Sequence, residues 1–497
     1  MTPKSSVHER DRKRIEQFVG RALELWKVSQ SAGEEIRDCP ADDAAHFLEL
    51  KSGAAVSLTL PGLSLKTFVR WLGRRIIWWP NGIEYRRRIS IMSSRLPRRK
   101  DLHQHWFDAL RTAAVQADPE TECFVTVHST TAADAVSRAA ALFRLPLLQV
   151  EICEQSEDQL NSIAVWLHSE SATSSSNLPL GRSAILSAAY TGDSETSFPF
   201  SQSTRDSALA CAGQRILSLS CREGGNVHAI LQRRLADRPI PPVLILRNEN
   251  DRTKSSIPEL QAAGAVPWLL HGSESEPSSS KSTSSKRGVL SQSSNHEVTN
   301  LEGPLLQPED WLCHWTRECA GPWPDESNDD YLDALILNCP SADHSAVAAL
   351  MRIVETGILL PSQLSRNSVS FTQVPLSQFR SHRVYRRHLR RYDFEPWGIA
   401  VKQIALAQLG CRPVKYFQQE NDTQDDGPDW HLQPATDASH RIDWTREREW
   451  RLPAAIHLSD ISKEDVVVFV DTIAEAKVLG NVSPWRVLTV PNAGDAT

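Results

Sequence analysis

The sequence predicts an α/β fold, in which a Rossmann-like module with a parallel sheet is followed by a separate α+β module. Three observations carry this prediction. Short apolar strands alternate with helical segments between residues 86 and 246, which is typical of βαβ units. A Ser-rich stretch with few apolar residues follows at 273–300. After it, Trp residues become dense and the regular alternation of strands and helices ends.

The length of the chain and these changes of composition predict four parts. A single core stops growing at roughly 250–300 residues, so a chain of 497 residues is expected to form two or three domains. We assign a lead-in segment to 1–80, a Rossmann-like nucleotide-binding-type domain to 81–255, a Ser-rich flexible linker to 256–303 and an α+β domain to 304–497. The linker is expected to be flexible because SESEPSSSKSTSSK buries too little apolar surface to offset its ordering entropy. An insertion loop within one domain is the alternative.

The lead-in segment combines a predicted helix with a predicted strand pair. Asp11–Ser29 has apolar residues at helical spacing, and Phe47–Leu60 alternates like two strands before the turn at Pro61. Arg70–Pro80 is basic and aromatic. The favoured interpretation of this last segment is a packing surface anchored by Trp. A nucleic-acid-binding face is the alternative, because Arg and aromatic residues also serve that purpose.

The Rossmann-like domain is predicted from six apolar strands and the helices between them. The strands are expected at Arg86–Ser94, Cys123–His128, Pro146–Ile152, Ser183–Ala189, Gln214–Ser220 and Pro242–Leu246. The helices are expected at Leu102–Gln116, Thr131–Phe143, Ser203–Ala212 and Asn226–Leu235. Because helices of this length connect parallel neighbours, the sheet is expected to be parallel.

Composition narrows the class of protein. The formal net charge of −6 argues against a general nucleic-acid binder but leaves room for local basic patches. The nine Cys are scattered, no apolar signal segment precedes them, and no apolar run reaches the roughly 18 residues that span a bilayer. We therefore expect a cytoplasmic location. Cys313, His314 and Cys319 lie close together, but no second pair follows at a zinc-like spacing, so no metal is expected.

Three short polar motifs mark a candidate ligand site in the Rossmann-like domain. They are Ser93-Ser94-Arg95 at the end of the first strand, Arg205-Asp206 at the start of a helix, and Arg222-Glu223-Gly224-Gly225-Asn226 between a strand and a helix. Glycine lets the backbone approach a ligand, and a helix N-terminus offers unpaired N–H groups to an anion. Open sheets bind ligands at the carboxyl ends of their strands, and Arg clamps phosphate. The motifs therefore predict a nucleotide phosphate site, although Gly-Gly also forms ordinary tight turns.

The combination of SSR at the tip of an early strand, RD at a helix start and a strand followed by REGGN resembles the SLOG superfamily. These Rossmann-like proteins include Smf/DprA and the LOG phosphoribohydrolases, and the resemblance covers about residues 86–250. It implies a nucleotide or nucleotide-derived ligand near these turns. Some members are enzymes, some bind DNA, and many are thought to be sensors in antiphage defence. The LOG pattern PGGxGTxxE is absent and Glu223 precedes the glycines, which favours binding or sensing over hydrolysis.

The C-terminal domain carries a pattern that resembles ADP-ribosyltransferases. Strand candidates with H-W-T and S-F-T, separated by the helix Ala346–Thr356, precede a late strand with a Glu. The resemblance implies NAD as the ligand, with His314 and Thr316 at the ribose, Ser370 and Thr372 at the nicotinamide, and Glu449 or, as second choice, Glu447 as the catalytic acid. The segment GILLPS with VSFTQVPL, and the later E-W-R, are also similar to abortive-infection proteins. The competing interpretation is structural, because alternating Trp and Arg form cation–π surfaces and Glu–Arg pairs cross between strands.

The leading hypothesis is a bacterial-type sensor–effector protein. Its Rossmann-like module would bind a nucleotide or nucleotide-derived small molecule, and its C-terminal module would act as an ADP-ribosyltransferase-like effector on a macromolecular target. Two alternatives stay open. One is a non-catalytic interaction protein, in which a Trp- and Arg-rich surface on a Rossmann-like scaffold binds a protein or nucleic acid. The other is a nucleotide hydrolase that acts in the first module alone.

Overall fold

The computed structural model describes the chain in separate ranges: 13–15, 17–22, 47–49, 54–80, 86–96, 99–152, 181–186, 202–237, 243–247, 257–270, 310–361, 367–386, 391–417, 429–437 and 442–490. The Ser-rich stretch 273–300 lies outside these residues. The chain divides into two compact units. The first comprises Met1–Ser278 with Leu332–Cys339, and the second comprises Ser279–Tyr331 with Pro340–Thr497. Each unit has its own sheet and its own hydrophobic core.

The first unit is built, within the described residues, on a ten-stranded sheet. In chain order its strands are β1 Phe47–Glu49, β2 Ala54–Ser57, β3 Ile77–Pro80, β4 Arg87–Ser93, β5 Glu122–Val127, β6 Leu147–Ile152, β7 Gly181–Leu186, β8 Arg215–Ser220, β9 Val243–Leu246 and β10 Val266–Trp268. Across the sheet they lie in the order β1-β2-β3-β7-β6-β5-β4-β8-β9-β10. From β7 onward in that order, all neighbours are parallel. The first three strands are antiparallel additions beside β7.

The parallel strands have the arrangement of a Rossmann fold. When β4 is counted as the first strand, the seven parallel strands lie in the order 4-3-2-1-5-6-7, with β7 as the fourth, at the edge next to β6. Without β7, the other six follow the 3-2-1-4-5-6 order of that fold. Within the predicted helix Asp11–Ser29, the described residues 13–15 and 17–22 are helical. The helices between residues 54 and 270 are α1 Leu65–Leu72, α2 Gln104–Gln116, α3 Ala133–Leu142, α4 Gln202–Ala212, α5 Asn226–Ala236 and α6 Ile257–Ala262. The predicted Rossmann-like parallel sheet is therefore confirmed. The order of its strands reverses between β4 and β8, and we call the carboxyl ends of these two strands the switch point.

The sheet extends beyond the range 81–255 at both edges. At one edge β3, from the lead-in segment, pairs with β7. The tryptophans of β3 are packed inside, since Trp78 and Trp79 are each 1% exposed, so these rings are not available to stack on nucleic acid. At the other edge α6 and β10 form within the range that composition assigned to the linker, and β10 pairs with β9.

The close approach of α4 to β4 requires the glycine that follows α4. A Cβ on Gly213 would lie 2.3 Å from Oγ of Ser90, so there is no space for a side chain at this position. The Ser90 hydroxyl itself donates to the carbonyl oxygen of Leu209 at 2.6 Å. The last turn of α4 therefore lies directly on β4.

Two buried arginines cap the C-terminal end of α4. Arg88 on β4 donates from Nε to the carbonyl oxygen of Ala212 at 2.8 Å, and Arg234 on α5 donates from Nη2 to that of Gly213 at 2.8 Å. Burial lowers the pKa of Arg234. Cations are favoured at this end of a helix by the dipole and by its unpaired carbonyls. As a result, α4 is fixed to β4 and to α5 at the same end.

The second unit is built on a mixed sheet of seven strands within the described residues. The strands of this part of the chain are β11 Trp311–Trp315, β12 Ile358–Leu359, β13 Val369–Thr372, β14 Tyr385–Arg386, β15 Arg391–Tyr392, β16 Gly398–Lys402, β17 Arg412–Pro413, β18 Lys415–Phe417, β19 Leu432–Pro434, β20 Thr436–Asp437, β21 Ile442–Asp443, β22 Glu449–Leu452, β23 Ile456–His457, β24 Val466–Val470 and β25 Arg486–Thr489. The seven lie in the order β17-β22-β13-β11-β16-β24-β25, and all neighbours are antiparallel except β24 and β25. The predicted separate α+β module is confirmed.

The remaining helices are α7 Asn328–Leu337, α8 Ala346–Thr356, α9 Phe379–His382, α10 Gln403–Gln408 and α11 Ile473–Gly480. Among the described residues of either unit, none of the helices has both the length and the apolar character needed to cross a membrane.

The mixed sheet of the second unit has an apolar core on each of its faces. One core includes Leu312, Phe371, Ile399 and Val468. The other includes Cys313, Trp315, Ala400 and Phe469. Successive residues of a strand thus enter opposite cores, as the pleat of a β-strand requires. We call these the Leu312 face and the Cys313 face.

We expect Gly213→Ala to destabilise the protein by about 1–3 kcal/mol, because the added methyl group must displace Ser90 or separate α4 from β4. The measurement is the free energy of unfolding in urea. Gly480→Ala is the matched control, since a Cβ at Gly480 meets nothing within 4 Å. Equal stability of the two variants would contradict the requirement for glycine at 213.

Candidate functional site

The candidate site lies at the switch point of the first unit. Sheets with this strand order bind their ligands in the crevice outside the carboxyl ends of the strands where the order reverses. The Ser93-Ser94-Arg95 motif ends β4, and the motif from Arg222 to Asn226 follows β8. Because β4 and β8 are neighbours, the two motifs meet at one place.

Hydrogen bonds join the turn after β4 to the turn after β8. The backbone N–H of Ser94 donates to the carbonyl oxygen of Ser220 at 2.8 Å. In return, the Ser94 hydroxyl accepts the backbone N–H of Arg222 at 2.9 Å. The pairing register shifts between Met92 and Ser93, so that Ser93 lies opposite Ser220. Such irregularities are frequent next to functional sites. The two turns are thus held together by one bond between backbone groups and one between the Arg222 backbone and the Ser94 side chain.

A buried tryptophan orients the end of β4. Trp106 on α2 is 1% exposed, and its Nε1 donates to Oγ of Ser93 at 3.1 Å. The Ser93 hydroxyl donates in turn to the carbonyl oxygen of Ser94 at 2.8 Å. Trp106 was not predicted to belong to the site. Its position in the chain, 13 residues after Ser93 on the next helix, gives no sign of this contact.

The two glycines after β8 shape the entry into α5. Gly224 has a φ of +66° and Gly225 is the N-cap residue of α5. A Cβ on Gly225 would lie 3.0 Å from the carbonyl oxygen of Arg222. No side chain caps this end of α5, and its first turn contains no acidic residue. The N–H groups of the first turn are therefore open to an anion.

His228 supports this turn from inside the helix. It is 6% exposed, and its Nδ1 accepts the backbone N–H of Gly224 at 3.4 Å. A Glu often takes a similar place in the first turn of a helix, where it closes a capping box. Unlike a Glu, a histidine places no negative charge at the end of the helix that would receive an anion. The other ring nitrogen, Nε2, lies 3.6 Å from a carboxylate oxygen of Glu259. Sequence reasoning assigned His228 no role.

Asp206 and Asn226 bond to each other, which changes the role expected for them. Nδ2 of Asn226 donates to the carboxylate of Asp206, which is only 7% exposed. This bond ties the first residue of α5 to α4. The pair was predicted to contact the ligand, whereas its geometry positions α5. Arg205, half-buried on α4, precedes Asp206.

The two cations of the switch point are exposed. Arg95 and Arg222 each stand two residues beyond the end of their strands, and both side chains are exposed. Neither guanidinium has an ion pair within the described part of the chain. The structure thus places the backbone of Gly224 and Gly225, the Ser94 hydroxyl and two exposed arginines on adjacent turns, and groups of these kinds can bind phosphate in proteins.

In the second unit, the strands that carry the predicted catalytic residues are neighbours. β13 lies between β11 and β22, with Cys313 opposite Thr372 and Thr372 opposite Glu449. Directly opposed residues project from the same face of a sheet. Thr372 and Glu449 therefore project from the Cys313 face, and so does Ser370, two residues before Thr372.

His314 lies on the opposite face of that sheet. It follows Cys313 directly, and its ring lies 5.7 Å from the ring of Phe371 on the Leu312 face. The structure therefore does not bring His314 together with Glu449. Thr316 is also engaged elsewhere, because its hydroxyl donates to the carbonyl oxygen of Trp397 at 3.0 Å and it is 2% exposed.

The imidazole of His314 is held in its neutral form. Nδ1 lies 2.9 Å from the carbonyl oxygen of Ser370, and since a carbonyl can only accept, Nδ1 carries the proton. Burial lowers the pKa of His314 from 6.5 to about 4, against the raising effect of the Ser370 hydrogen bond and with a further lowering by Arg317. This histidine joins two strands and does not act as a base toward Glu449.

Glu449 is paired with a buried arginine. Arg451, 4% exposed, donates from Nε and Nη2 to the two carboxylate oxygens at 2.9 and 2.7 Å. The remaining nitrogen, Nη1, donates to the carbonyl oxygen of Trp430 at 3.0 Å, and Nη2 also reaches Oε1 of Gln433 at 2.9 Å. The guanidinium thus joins β22 to the segment around β19. This arrangement is that of a structural ion pair.

The backbone around Glu449 is also engaged. Its N–H donates to Oη of Tyr416 at 3.0 Å, and burial raises the pKa of Tyr416 to about 12. The backbone of Glu447 accepts the hydroxyl of Thr372. Neither Tyr416 nor Arg451 was singled out as a partner of Glu449. The E-W-R spacing did carry a signal for Arg451, because residues two apart in a strand share a face.

No group of three or more His, Cys, Asp or Glu side chains within the described ranges is arranged to hold a metal ion.

Comparisons with known proteins give limited similarity. No protein-family model and no curated protein sequence matches the chain. Among solved structures, DNA processing protein A from Streptococcus pneumoniae matches at 9% identity and a TM-score of 0.26, over 39% of this chain and 62% of that one. This chain therefore spans less than two thirds of the pneumococcal protein. DNA processing protein A from Helicobacter pylori, described for its binding of single-stranded DNA, matches at 12% identity and a TM-score of 0.24, over 39% of this chain and 82% of that one.

We expect Glu449→Gln to lower the free energy of unfolding by about 3 kcal/mol, because it leaves the buried Arg451 without its counter-charge. Urea unfolding measures the loss. Glu464→Gln, which removes an exposed carboxylate from the same unit, is the control and should change stability by less than about 0.5 kcal/mol. Nicotinamide release from labelled NAD that is lost in Glu449→Gln at unchanged stability would contradict the structural role.

Acid is expected to destabilise the second unit through His314. Its pKa is about 4 in the folded protein against 6.5 as the ordinary value, so between these values the unfolded chain binds the extra proton. Stability is therefore present above pH 6.5 and falls as the pH drops toward 4, by at most about 1.4 kcal/mol per pH unit. Urea unfolding at pH 7 and pH 5 measures the effect.

His314→Asn should lose about 1–2 kcal/mol less between those two pH values, because the amide can donate to Ser370 and does not titrate. His457→Asn, at an exposed position, is the control. An unchanged pH dependence in His314→Asn would exclude His314 as the cause.

Proposed function

We propose that the first unit binds a nucleotide or a nucleotide-derived small molecule, and that it holds a phosphate group of this ligand at the switch point. The observation that supports this most is the hydrogen bond from the backbone of Arg222 to the hydroxyl of Ser94. It joins the two turns where the strand order reverses, beside an uncapped helix N-terminus. Both features belong to sites that bind phosphate.

Each residue of the site has a role in this proposal. Arg95 and Arg222 clamp the phosphate oxygens, and the backbone of Gly224 and Gly225 allows the ligand to approach α5. Asp206 positions α5 through its bond to Asn226. Because that carboxylate is committed and Glu223 is exposed beside the turn, the arrangement supports binding over hydrolysis.

For the second unit, the contacts favour a structural or interaction role over ADP-ribosyl transfer. A transferase would need His314 and the late Glu at one NAD molecule, whereas the two side chains project from opposite faces of the sheet. The pairing of Glu449 with Arg451 gives this Glu a structural purpose. We therefore keep the sensor–effector hypothesis but assign no reaction to the second unit. In this form of the hypothesis, the second unit binds a macromolecular partner.

Nucleotides that bind the site are expected to raise the melting temperature of the protein, since a ligand that binds only the folded state stabilises it by mass action. The measurement is a thermal-shift screen of nucleotides and dinucleotides. Arg222→Ala and Gly224→Val should each abolish the shift, because one removes a phosphate clamp and the other forces a branched side chain into a φ of +66°.

Arg87→Ala is the matched control, because Arg87 lies at the opposite end of β4. A flat screen, or a shift that persists in Arg222→Ala, would reject the site. A bound nucleotide that also changes hydrogen exchange within residues 310–490 would support the sensor–effector form of the proposal over a plain scaffold.

A further inference from the structure

Four cationic or imidazole side chains stand in a row along the carboxyl edge of the parallel sheet. They are His128 after β5, Arg95 after β4, Arg222 after β8 and Arg247 after β9, and all four are exposed. These strands are consecutive in the order β5-β4-β8-β9. Two of the four side chains, His128 and Arg247, were assigned nothing by the sequence and have no part in the phosphate site proposed above.

The register places the outer two level with the switch point. Ser90 pairs with Val125, so three residues further on Ser93 stands beside His128. Ser218 pairs with Ile245, so two residues further on Ser220 stands beside Arg247. The backbone N–H groups of His128 and Arg247 bond to the next strand outward, at Val150 and Trp268. Both positions are therefore still fixed by the sheet.

The opposite edge of the same sheet shows how this protein treats cations that it uses for structure. At the amino ends of β4 and β8, Arg87 and Arg215 both lie 3.5 Å from the same carboxylate oxygen of Glu122. At the carboxyl edge, none of the four side chains in the row has a hydrogen bond or an ion pair within the described ranges. A carboxylate of the protein thus neutralises the cations at the amino edge, whereas the row at the carboxyl edge is available to a ligand.

The carboxylates close to the row form no ion pair with its side chains among the described residues. Asp206 is bonded to Asn226. Among the described residues, further acids near this edge are Asp134 in the first turn of α3, Glu151 on β6, Glu223 beside Arg222 and Glu259 in the first turn of α6. Glu259 lies 3.6 Å from Nε2 of His228, and Asp101 pairs with Arg99. None of these carboxylates forms an ion pair with the row in the described part of the chain.

The length of the row exceeds what one phosphate group can contact. Neighbouring strands lie about 4.8 Å apart, so four consecutive strands set the outer side chains roughly 14 Å apart. A single phosphate is clamped by one or two adjacent guanidinium groups, and Arg95 with Arg222 already supply these. His128 and Arg247 therefore flank the phosphate position on either side.

We propose that the ligand of the first unit carries two or more phosphate groups, and that His128 and Arg247 select it over ligands with a single phosphate. This inference rests on the proposed phosphate site and adds the class of ligand to it. The row fits a small polyphosphorylated ligand better than a nucleic-acid strand. It is confined to four strand ends, and the chain as a whole has a formal net charge of −6, which opposes the approach of an extended polyanion.

The test compares the binding of orthophosphate and linear tripolyphosphate to the full chain by calorimetry. Wild-type protein is expected to bind tripolyphosphate at least about tenfold more tightly, since each added charge-assisted contact contributes on that order. His128→Gln and Arg247→Gln should each reduce tripolyphosphate affinity several-fold and leave orthophosphate binding unchanged. Arg144→Gln is the control. It also removes an exposed cation, but Arg144 lies between α3 and β6, on the amino side of the sheet.

The outcomes separate the two proposals. Orthophosphate binding that Arg222→Gln does not weaken would reject the phosphate site itself. Orthophosphate binding that depends on Arg222, without a preference for tripolyphosphate, would overturn only the present inference. So would an equal effect of His128→Gln, Arg247→Gln and Arg144→Gln. A single-stranded oligothymidylate that binds more tightly than tripolyphosphate, with the same dependence on the row, would assign the row to nucleic acid and overturn the small-ligand proposal.

Discussion

The contact between α4 and β4 at Gly213 is the constraint on which the candidate site depends. There is no room for a Cβ against Ser90, so the helix lies directly on the strand, and Arg88 and Arg234 cap its end from two sides. Nearer the N-terminus of α4, Asp206 accepts a hydrogen bond from Asn226, the first residue of α5. The uncapped N-terminus of α5 is thereby set beside the end of β4. The packing of Gly213 against β4 thus helps to fix the N-terminus of α5, where an anion could be held.

Much of this arrangement could be predicted from the sequence, and the part that could not depends on tertiary contacts. The six strands from β4 to β9 and the four helices α2 to α5 follow from apolar periodicity. The meeting of SSR with REGGN follows because carboxyl ends of parallel strands share an edge. The joining of β3 to β7 could not be predicted, since a short antiparallel strand is defined only by its partner. The bond between Asp206 and Asn226 likewise requires knowing which helices are neighbours.

In the second unit, the sequence did not predict which face of the sheet each side chain uses. The three strands with the predicted His, Ser and Glu are indeed adjacent, so the order of clusters in the sequence carried real information about the sheet. What it did not carry was the register. One residue of offset decides which face a side chain uses, and here it separates His314 from Glu449. The Arg that sequence reasoning grouped with other cations, Arg451, proves to be the partner that occupies the Glu.

The register shift between Met92 and Ser93 has a consequence for how this chain can vary. Through it, the polar Ser220 rather than the apolar Leu219 faces the end of β4. Loops that follow the strands could lengthen or shorten without disturbing this match, but the stretch from Arg215 to Arg222 could not. Deleting or adding a single residue there would replace the polar side chain at the crevice with an apolar one and turn Arg222 away from Ser94. Relatives of this protein that keep the site should therefore keep the length of this stretch, whatever happens to its composition.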